Sequence, residues 1–324
     1  MKIVITDCDH ATIDAEQAVA AEAGVELVLT QSHTEAEVIA SAAGADALVV
    51  QYAPITAAVL DALPNVRAIG RYGVGVDTVD VEAATQRGVA VCNVPDYGTE
   101  AVSDHAIALA LATVRGLRVL DRGLRAGRPD LTPATPIRQF STLRFGVLGF
   151  GRIGQATARK AAGIGFEVAT SDIRLESGTV TEEGWPVLTF AELLARSDVL
   201  SVHTPLDATT QHLLDAQALA QLPAGATVVN TARGGVVDTD AIAEALASGH
   251  LQGAGLDVFE DEPLPVDHPL TRFERCILTP HAAFYTEQSY VELKRRTVQN
   301  VADVLAGTTP QNILNPQVLT TGQH

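Results

Sequence analysis

A glycine-rich turn, Gly149-Phe150-Gly151-Arg152-Ile153-Gly154, stands between an apolar run that reads as a strand (144–148) and a helical run (153–162). That order confines the surrounding chain to a strand–turn–helix unit of a parallel sheet. Gly149 permits the tight turn, Gly151 lets backbone approach a pyrophosphate, and Gly154 lets the helix pack close to the sheet. The helix start offers unpaired N–H groups and a partial positive charge to phosphates. The next strand, 166–170, leads to Asp172, eighteen residues past the last glycine. A carboxylate there accepts hydrogen bonds from the ribose hydroxyls of an adenine nucleotide and repels a 2′-phosphate, which predicts NAD and makes NADP the less favoured cofactor. Arg174 is the complication, since a nearby arginine can accommodate that phosphate. Without the glycines, Asp172 would read as a helix cap or a solvated turn residue.

The first hundred residues alternate short β-branched runs with alanine-rich helical stretches. Strands are expected at 2–6, 25–30, 46–51, 66–70 and 89–92, with helices near 14–23, 34–43, 56–62 and 78–87. This rhythm implies a parallel sheet with helices on its faces, an α/β fold. Asn93-Val94-Pro95-Asp96-Tyr97-Gly98 breaks the pattern and reads as a crossing between domains. A long helix is expected from Thr99 to about Arg125, with Val102, Ala106, Leu109, Ala110, Leu117 and Leu120 on its apolar stripe. Segment 127–142, with Gly127, Pro129, Pro133 and Pro136, reads as a loop. Alternation then resumes, with strands near 144–148, 166–170, 198–202, 226–230, 252–258 and 276–280. A last helix, about Glu287 to Leu305, is expected to return to the first domain. A chain of 324 residues fits two such domains.

Three residues after strand-like runs carry the chemistry. Arg233 follows 226–230, Glu262 lies beyond 252–258, and His281 follows 276–280, so all three should lie at the edge that bears the glycine turn. A guanidinium matches a carboxylate bidentately and stays charged, so Arg233 suits the anchoring of a 2-oxo acid and the polarising of its carbonyl. His281 suits proton transfer to the new hydroxyl as hydride arrives. Histidine titrates near ~6.5 when unperturbed, and a paired Glu262 would favour its charged form. Singly, each is more often a surface or capping residue, and Glu262 could belong to a merely acidic loop with Glu260 and Asp261. His203 reads as lining the cofactor groove, and His105 and His268 as structural.

Composition narrows the partners. A formal net charge of −17 argues against nucleic acid or an anionic membrane, both of which need clustered Lys and Arg. A small anionic substrate requires the site to concentrate its own positive charge. Cys8, Cys92 and Cys276 are widely spaced and apolar in context, and read as buried small residues with no disulfide framework or metal site. No apolar stretch approaches a membrane span and the start reads as a strand, which makes the cytoplasm the expected compartment.

Together these pieces resemble the D-isomer-specific 2-hydroxyacid dehydrogenases over nearly the whole chain. The resemblance rests on Gly70-Arg71-Tyr72-Gly73-Val74-Gly75-Val76-Asp77, the 149–154 glycines, Val202-His203-Thr204-Pro205-Leu206, Asn230-Thr231-Ala232-Arg233-Gly234-Gly235, Asp257-Val258-Phe259 with Glu262-Pro263, and Thr279-Pro280-His281. It implies the same roles for Arg233, Glu262 and His281, and the substrate carboxylate on backbone around Val74 and Gly75. It implies Asp257 on the nicotinamide carboxamide, and cofactor contacts from Thr99, Arg152, Ile153, Asp172, His203, Thr204, Pro205, Thr231 and Ala232. The implied architecture is two doubly wound parallel-sheet domains and a homodimer. A flavodoxin-like substrate domain would use both termini (1–98 with 285–324), around a central Rossmann NAD-binding domain (99–284). Cys92-Asn93-Val94-Pro95 and the 281–288 stretch look most like the branch containing the C-terminal-binding-protein corepressors. By that likeness Arg71 is an additional arginine at the carboxylate, and Phe284 stands where a tryptophan can flank the substrate. Tyr52, Tyr72 and Tyr285 could add to an aromatic pocket. Formate dehydrogenases carry glutamine where Glu262 stands, and phosphite dehydrogenases lysine where Val74 stands.

Overall fold

The structure, a computed structural model, describes residues 1–9 and 11–320. It divides into two compact units, one formed by Met1–Gly98 with the segment from Thr286 onward, the other by Thr99–Tyr285. The last four residues of the expected 285–324 segment lie outside the described residues.

The first unit is a five-stranded parallel sheet of order β2-β1-β3-β4-β5, the flavodoxin-like arrangement. Its elements in chain order are β1 (Lys2–Ile5), α1 (Asp14–Glu22), β2 (Glu26–Leu29), α2 (Glu35–Ser41), β3 (Ala47–Val50), α3 (Ala57–Ala62), β4 (Ala68–Arg71), α4 (Val81–Gln86) and β5 (Ala90–Cys92). Every residue of β3 and β5 is buried, the continuous apolar run expected of strands covered on both faces. Cys8, Cys92 and Cys276 are free and buried, as expected of small core residues.

The second unit is a six-stranded parallel sheet of order β11-β10-β9-β8-β6-β7. It begins with α5 (Thr99–Val114) and α6 (Leu117–Arg125), and continues through β6 (Arg144–Leu148), α7 (Arg152–Ile164), β7 (Glu167–Ser171), α8 (Phe190–Arg196), β8 (Val199–Val202), α9 (Ala216–Leu219), β9 (Ala226–Asn230), α10 (Thr239–Ala247), β10 (Leu251–Leu256) and β11 (Cys276–Leu278). The strand order reverses between β6 and β8, so the crevice at their carboxyl ends is the topological position for a bound nucleotide. Both sheets are those of a two-domain Rossmann-type α/β fold. The chain then forms α11 (Glu287–Leu305), which packs in the first unit, and a short α12 (Gln317–Thr320). A Cβ at Gly70 would meet Val301 Cγ1 at 2.9 Å, so α11 lies directly on β4.

Two expectations are corrected. The long helix from 99 is interrupted at Gly116, whose φ of +61° is left-handed, and α5 and α6 are separate helices. The change of direction rotates the second half of the expected stripe: Leu117 is exposed, and Val119 is buried in its place. Segment 127–142 is also not wholly loop, since short 3₁₀ turns form at Thr132–Ala134 and Phe140–Thr142. Among the described residues, no helix is long and apolar enough to cross a membrane.

The approach of α5 to its sheet depends on glycine. A Cβ at Gly253 would lie 2.4 Å from Thr113 Cγ2, and one at Gly255 would lie 2.8 Å from Leu109 Cβ. Gly255→Val is therefore expected to destabilise the fold by about 1–3 kcal/mol through overpacking. Chemical denaturation checks this, and an unchanged midpoint would show that α5 can move away from β10 without cost.

Candidate active site

Each element of the second sheet delivers one turn to the same carboxyl edge. After β6, Gly149 takes a φ of +91°, and a Cβ there would lie 2.7 Å from the His203 carbonyl carbon and from Thr204 N. The glycine thus meets two demands, a left-handed turn and backbone contact with the end of β8. A Cβ at Gly154 would sit 2.1 Å from Gly149 O, which explains the close start of α7. Around Gly151, by contrast, the nearest atom to an added Cβ is Arg174 Nη2 at 3.8 Å. That opening, at a helix start with no side-chain cap, fits an anionic group.

Asp172 follows β7 with its carboxylate turned to the glycine turn. Its Oδ2 accepts from Phe150 N at 2.6 Å and from Arg174 Nη2 at 2.7 Å, while Oδ1 accepts from Arg174 N and Nε at 2.9 and 2.8 Å. The Arg174 hydrogen bonds, against the opposing effect of burial, hold the carboxyl down to about 2. Arg174 is therefore clasped to Asp172, and the two groups expected to compete for the ribose form one unit.

His203 follows β8. Its Nε2 is 2.8 Å from Ser201 Oγ, and burial pushes the ring down to about 3, so it stands neutral. The hydroxyls of Thr204, Thr231 and Thr99 are buried with no hydrogen-bond partner among the described residues. Thr113 and Thr157 share that property away from this edge. What sets Thr204 and Thr231 apart is their place directly after β8 and β9, beside the glycine turn. Orphaned hydroxyls there fit a nucleotide's hydrogen-bonding groups. Arg152 is exposed at the start of α7, with Ile153 half-buried; Pro205 is exposed, and Ala232 half-buried.

Arg233 follows β9 in a turn pinned by buried Asn230, which accepts from Ala232 N at 3.0 Å and donates to Arg233 O at 2.9 Å. Its Nη1 donates to Ala232 O at 2.7 Å. A Cβ on the next residue, Gly234, would fall 1.8 Å from Phe259 O, so the turn after β9 lies backbone against backbone on the turn after β10. In that second turn Glu262 Oε1 accepts from Phe259 N at 3.0 Å, and Glu262 Oε2 stands 2.7 Å from His281 Nδ1. Burial opposes charge on Glu262. The His281 hydrogen bond and charge, the Phe259 N–H and the Arg233 charge outweigh it, and hold the carboxyl below its usual value. With Glu262 ionised it can only accept, which assigns the hydrogen to Nδ1 and leaves Nε2 as the ring nitrogen for a reactant.

His281 sits in left-handed backbone at φ +52°. That conformation costs a non-glycine residue about 1–2 kcal/mol and persists only where neighbours hold it. Here Asp257 does so: its carbonyl accepts from His281 N at 2.8 Å, and its carboxylate accepts from Ala282 N at 2.8 Å and Ala283 N at 2.9 Å. Thr279 Oγ1 adds a bond of 2.5 Å. Asp257 is 0% exposed. Asp257, expected on the nicotinamide carboxamide, thus also ties down the His281 loop through its enclosed carboxylate. The Phe284 ring meets His281 edge-on, centroids 6.3 Å apart.

In the first unit, Arg71 ends β4 and donates to Tyr72 O. Its guanidinium lies over Gly73, where a Cβ would fall 1.8 Å from Nη1. Val74 is exposed, and Asn93 Nδ2 donates to its carbonyl at 2.7 Å, fixing the Val74–Gly75 loop. Tyr52 is exposed and Tyr72 buried, the latter with its hydroxyl on Glu16 Oε1 at 3.0 Å.

Residues 107–283 match the family described as D-isomer specific 2-hydroxyacid dehydrogenase, NAD binding domain. The chain belongs to that family. A glyoxylate reductase of Thermofilum pendens is 38% identical over 272 residues, covering 82% of this chain and 79% of the relative. A D-3-phosphoglycerate dehydrogenase of Mycobacterium leprae is 38% identical over 280 residues, 86% of this chain but 53% of the relative. Among solved structures, a D-lactate dehydrogenase from Aquifex aeolicus complexed with NAD and lactic acid superposes with a TM-score of 0.87 at 27% identity, over 97% of this chain and 99% of that one. The protein is accordingly an NAD-dependent oxidoreductase, with its NAD-binding domain in the second unit.

Within this dehydrogenase the glycine turn, Asp172, His203, Thr204, Thr231, Arg233, Glu262 and His281 all stand at one edge of one sheet. Sequence reasoning missed Asn230 as the pin of the Arg233 turn, and missed His212. That histidine pairs with Glu260, which also accepts from Thr239 N at 2.9 Å. Glu260, two residues before Glu262, is thus a clasp of the same turn. His268 is structural as expected, capping a 3₁₀ turn by accepting from Leu270 N at 3.2 Å through Nδ1. His105, read as structural, reaches Thr279 Oγ1 at 3.0 Å, immediately behind His281.

Asp172→Ala removes the carboxylate and releases Arg174. The ratio of kcat/KM with NADPH to that with NADH is expected to rise by about ten- to a hundredfold, the value of a charged hydrogen bond. An unchanged ratio would remove Asp172 from the ribose.

Proposed function

We propose that the protein reduces a small 2-oxo acid to the corresponding D-2-hydroxy acid. The observation that carries this reading is the 2.7 Å pairing of Glu262 Oε2 with His281 Nδ1 at the sheet edge that also bears Arg233 and the glycine turn. Bound NADH would supply the hydride to the carbonyl carbon. Arg233 would hold the substrate carboxylate through its planar fork and draw electron density onto the carbonyl oxygen. His281 would pass the proton on Nε2 to that oxygen as the hydroxyl forms, becoming neutral and recovering a proton from solvent. Glu262, ionised throughout, would stabilise the charged ring before transfer and fix its orientation. Burial opposes its charge, but the His281 hydrogen bond outweighs that and lowers the carboxyl, so this support lasts to lower pH than for an unperturbed glutamate.

The cofactor would lie along Gly149, Gly151, Arg152, Ile153 and Gly154, with Asp172 on the ribose and Thr99, His203, Thr204, Pro205, Thr231 and Ala232 along the groove. NAD is preferred to NADP in this reading because Asp172 is anionic. Arg71, the backbone at Val74 and Gly75, and Phe284 are the further substrate contacts that the resemblance supports. A cytoplasmic homodimer is the assembly it supports. An NAD(H)-sensing protein without turnover, the alternative from the corepressor-like branch, would have no use for the His281–Glu262 pair.

NADH oxidation should be measured against glyoxylate, pyruvate, hydroxypyruvate, phenylpyruvate and branched or phosphonate-bearing 2-oxo acids. Turnover on one class is expected; tight NADH binding with none would favour the sensing protein. His281→Ala is expected to lower kcat by about 10²–10⁴ with NADH affinity retained, and undiminished turnover would reject the role. Glu262→Gln takes away the ionised acceptor that orients the ring, so kcat is expected to fall about tenfold or more with NADH affinity retained. An unchanged kcat would take Glu262 out of the mechanism.

A further inference from the structure

The registry of α5 over β10 continues past the end of the strand. Thr113 and Leu109 lie on Gly253 and Gly255, one helical turn and two strand residues apart. One more turn along the helix is His105, and two more residues along the strand is Asp257. There the side chains meet: His105 Nε2 is 3.0 Å from Thr279 Oγ1 and 3.6 Å from Asp257 Oδ1. Thr279 has one hydroxyl proton, and at 2.5 Å it goes to Asp257 Oδ1. The Thr279 oxygen must then accept from His105, which puts a hydrogen on Nε2. Asp257 in turn holds the N–H groups of His281, Ala282 and Ala283, the backbone that keeps His281 left-handed.

We propose that His105 is a positioning residue for proton transfer, acting through Thr279 and Asp257 to hold the backbone of His281 so that its ring faces Glu262. This rests on His281 being the acid. The helix contributes nothing to the reacting atoms themselves. It supplies one N–H that closes the hydrogen-bond set of the enclosed Asp257–Thr279 pair, and a residue of the helix packed on β10 thereby sets the orientation of the ring.

The test compares His105→Ala with His105→Gln, whose amide N–H can occupy the place of Nε2–H. Steady-state kinetics would be run with NADH and the best 2-oxo acid, and NADH affinity by fluorescence titration. For His105→Ala, kcat is expected to fall about ten- to a hundredfold, as for a small misplacement of a catalytic group. The KM of the 2-oxo acid and the NADH Kd should stay within about twofold. A larger solvent isotope effect on kcat is expected, as proton transfer becomes limiting, and His105→Gln should recover most of the rate. An unchanged kcat in His105→Ala, an equal loss in both variants, or a loss residing in NADH Kd would each overturn the proposal. If His105→Ala does not fold, Thr279→Ser against Thr279→Val decides: the hydroxyl-bearing variant should keep the rate and the other lose it, and equal rates would refute the chain. His281→Ala run alongside separates the two readings. Should it keep turnover, the acid assignment fails; should it be inactive while His105→Ala is normal, only the positioning role fails.

Discussion

Backbone lying directly on backbone at the carboxyl edge of the second sheet is the constraint from which the site follows. Where the turn after β9 crosses the turn after β10, a Cβ on Gly234 would overlap the Phe259 carbonyl at 1.8 Å. Where the turn after β6 meets the end of β8, a Cβ on Gly149 would fall 2.7 Å from the His203 carbonyl carbon. A parallel sheet spaces its strands about 4.8 Å apart, and the turns that leave it can share one small volume only if some of them carry no side chain. Glycine at these two points lets the turn bearing Arg233 lie on the turn bearing Glu262, and the cofactor turn on the end of β8.

Once gathered, these groups interact chiefly through charge. The chain carries a net charge of −17, yet at this edge burial of the Glu262 carboxyl is outweighed chiefly by the His281 hydrogen bond, with a smaller part from Arg233, and Arg174 clasps Asp172. Each carboxylate that faces the site has a cation or N–H groups on it, so it stays ionised and acts as an acceptor. The buried Asp257 carboxylate follows the same rule with the N–H groups of Ala282 and Ala283 and the Thr279 hydroxyl, while its backbone carbonyl takes the His281 N–H. A buried carboxylate without such partners would be costly. With them, it becomes a rigid anchor for the left-handed backbone of His281.

The strands and most helices were legible because burial on both faces leaves unbroken apolar runs, and β3, β5 and α11 lie within a residue or two of where periodicity puts them. The glycine turn and the sheet edge of Arg233, Glu262 and His281 were legible for a topological reason: every strand of a parallel sheet ends on the same side. The helix break at Gly116 was not, because an isolated glycine is tolerated within a helix and only its left-handed φ of +61° ends α5. The tie of Asp257 to the His281 loop was not legible either, because only the folded loop brings the Ala282 and Ala283 N–H groups onto its carboxylate.

Sequence alone determined the order of elements, the nucleotide-binding turn and the residue types available for hydride and proton chemistry, since these depend on local periodicity and on chemical identity. Tertiary structure decided which polar groups find each other beyond the expected Glu262–His281 pair: Glu260 with His212 across 48 residues, Arg174 folded back on Asp172, and His105 on Thr279 across 174. Hydrogen bonds of that kind depend on positions to within about half an ångström, and such positions come from how helices and turns pack on the sheet, which no spacing along the chain encodes.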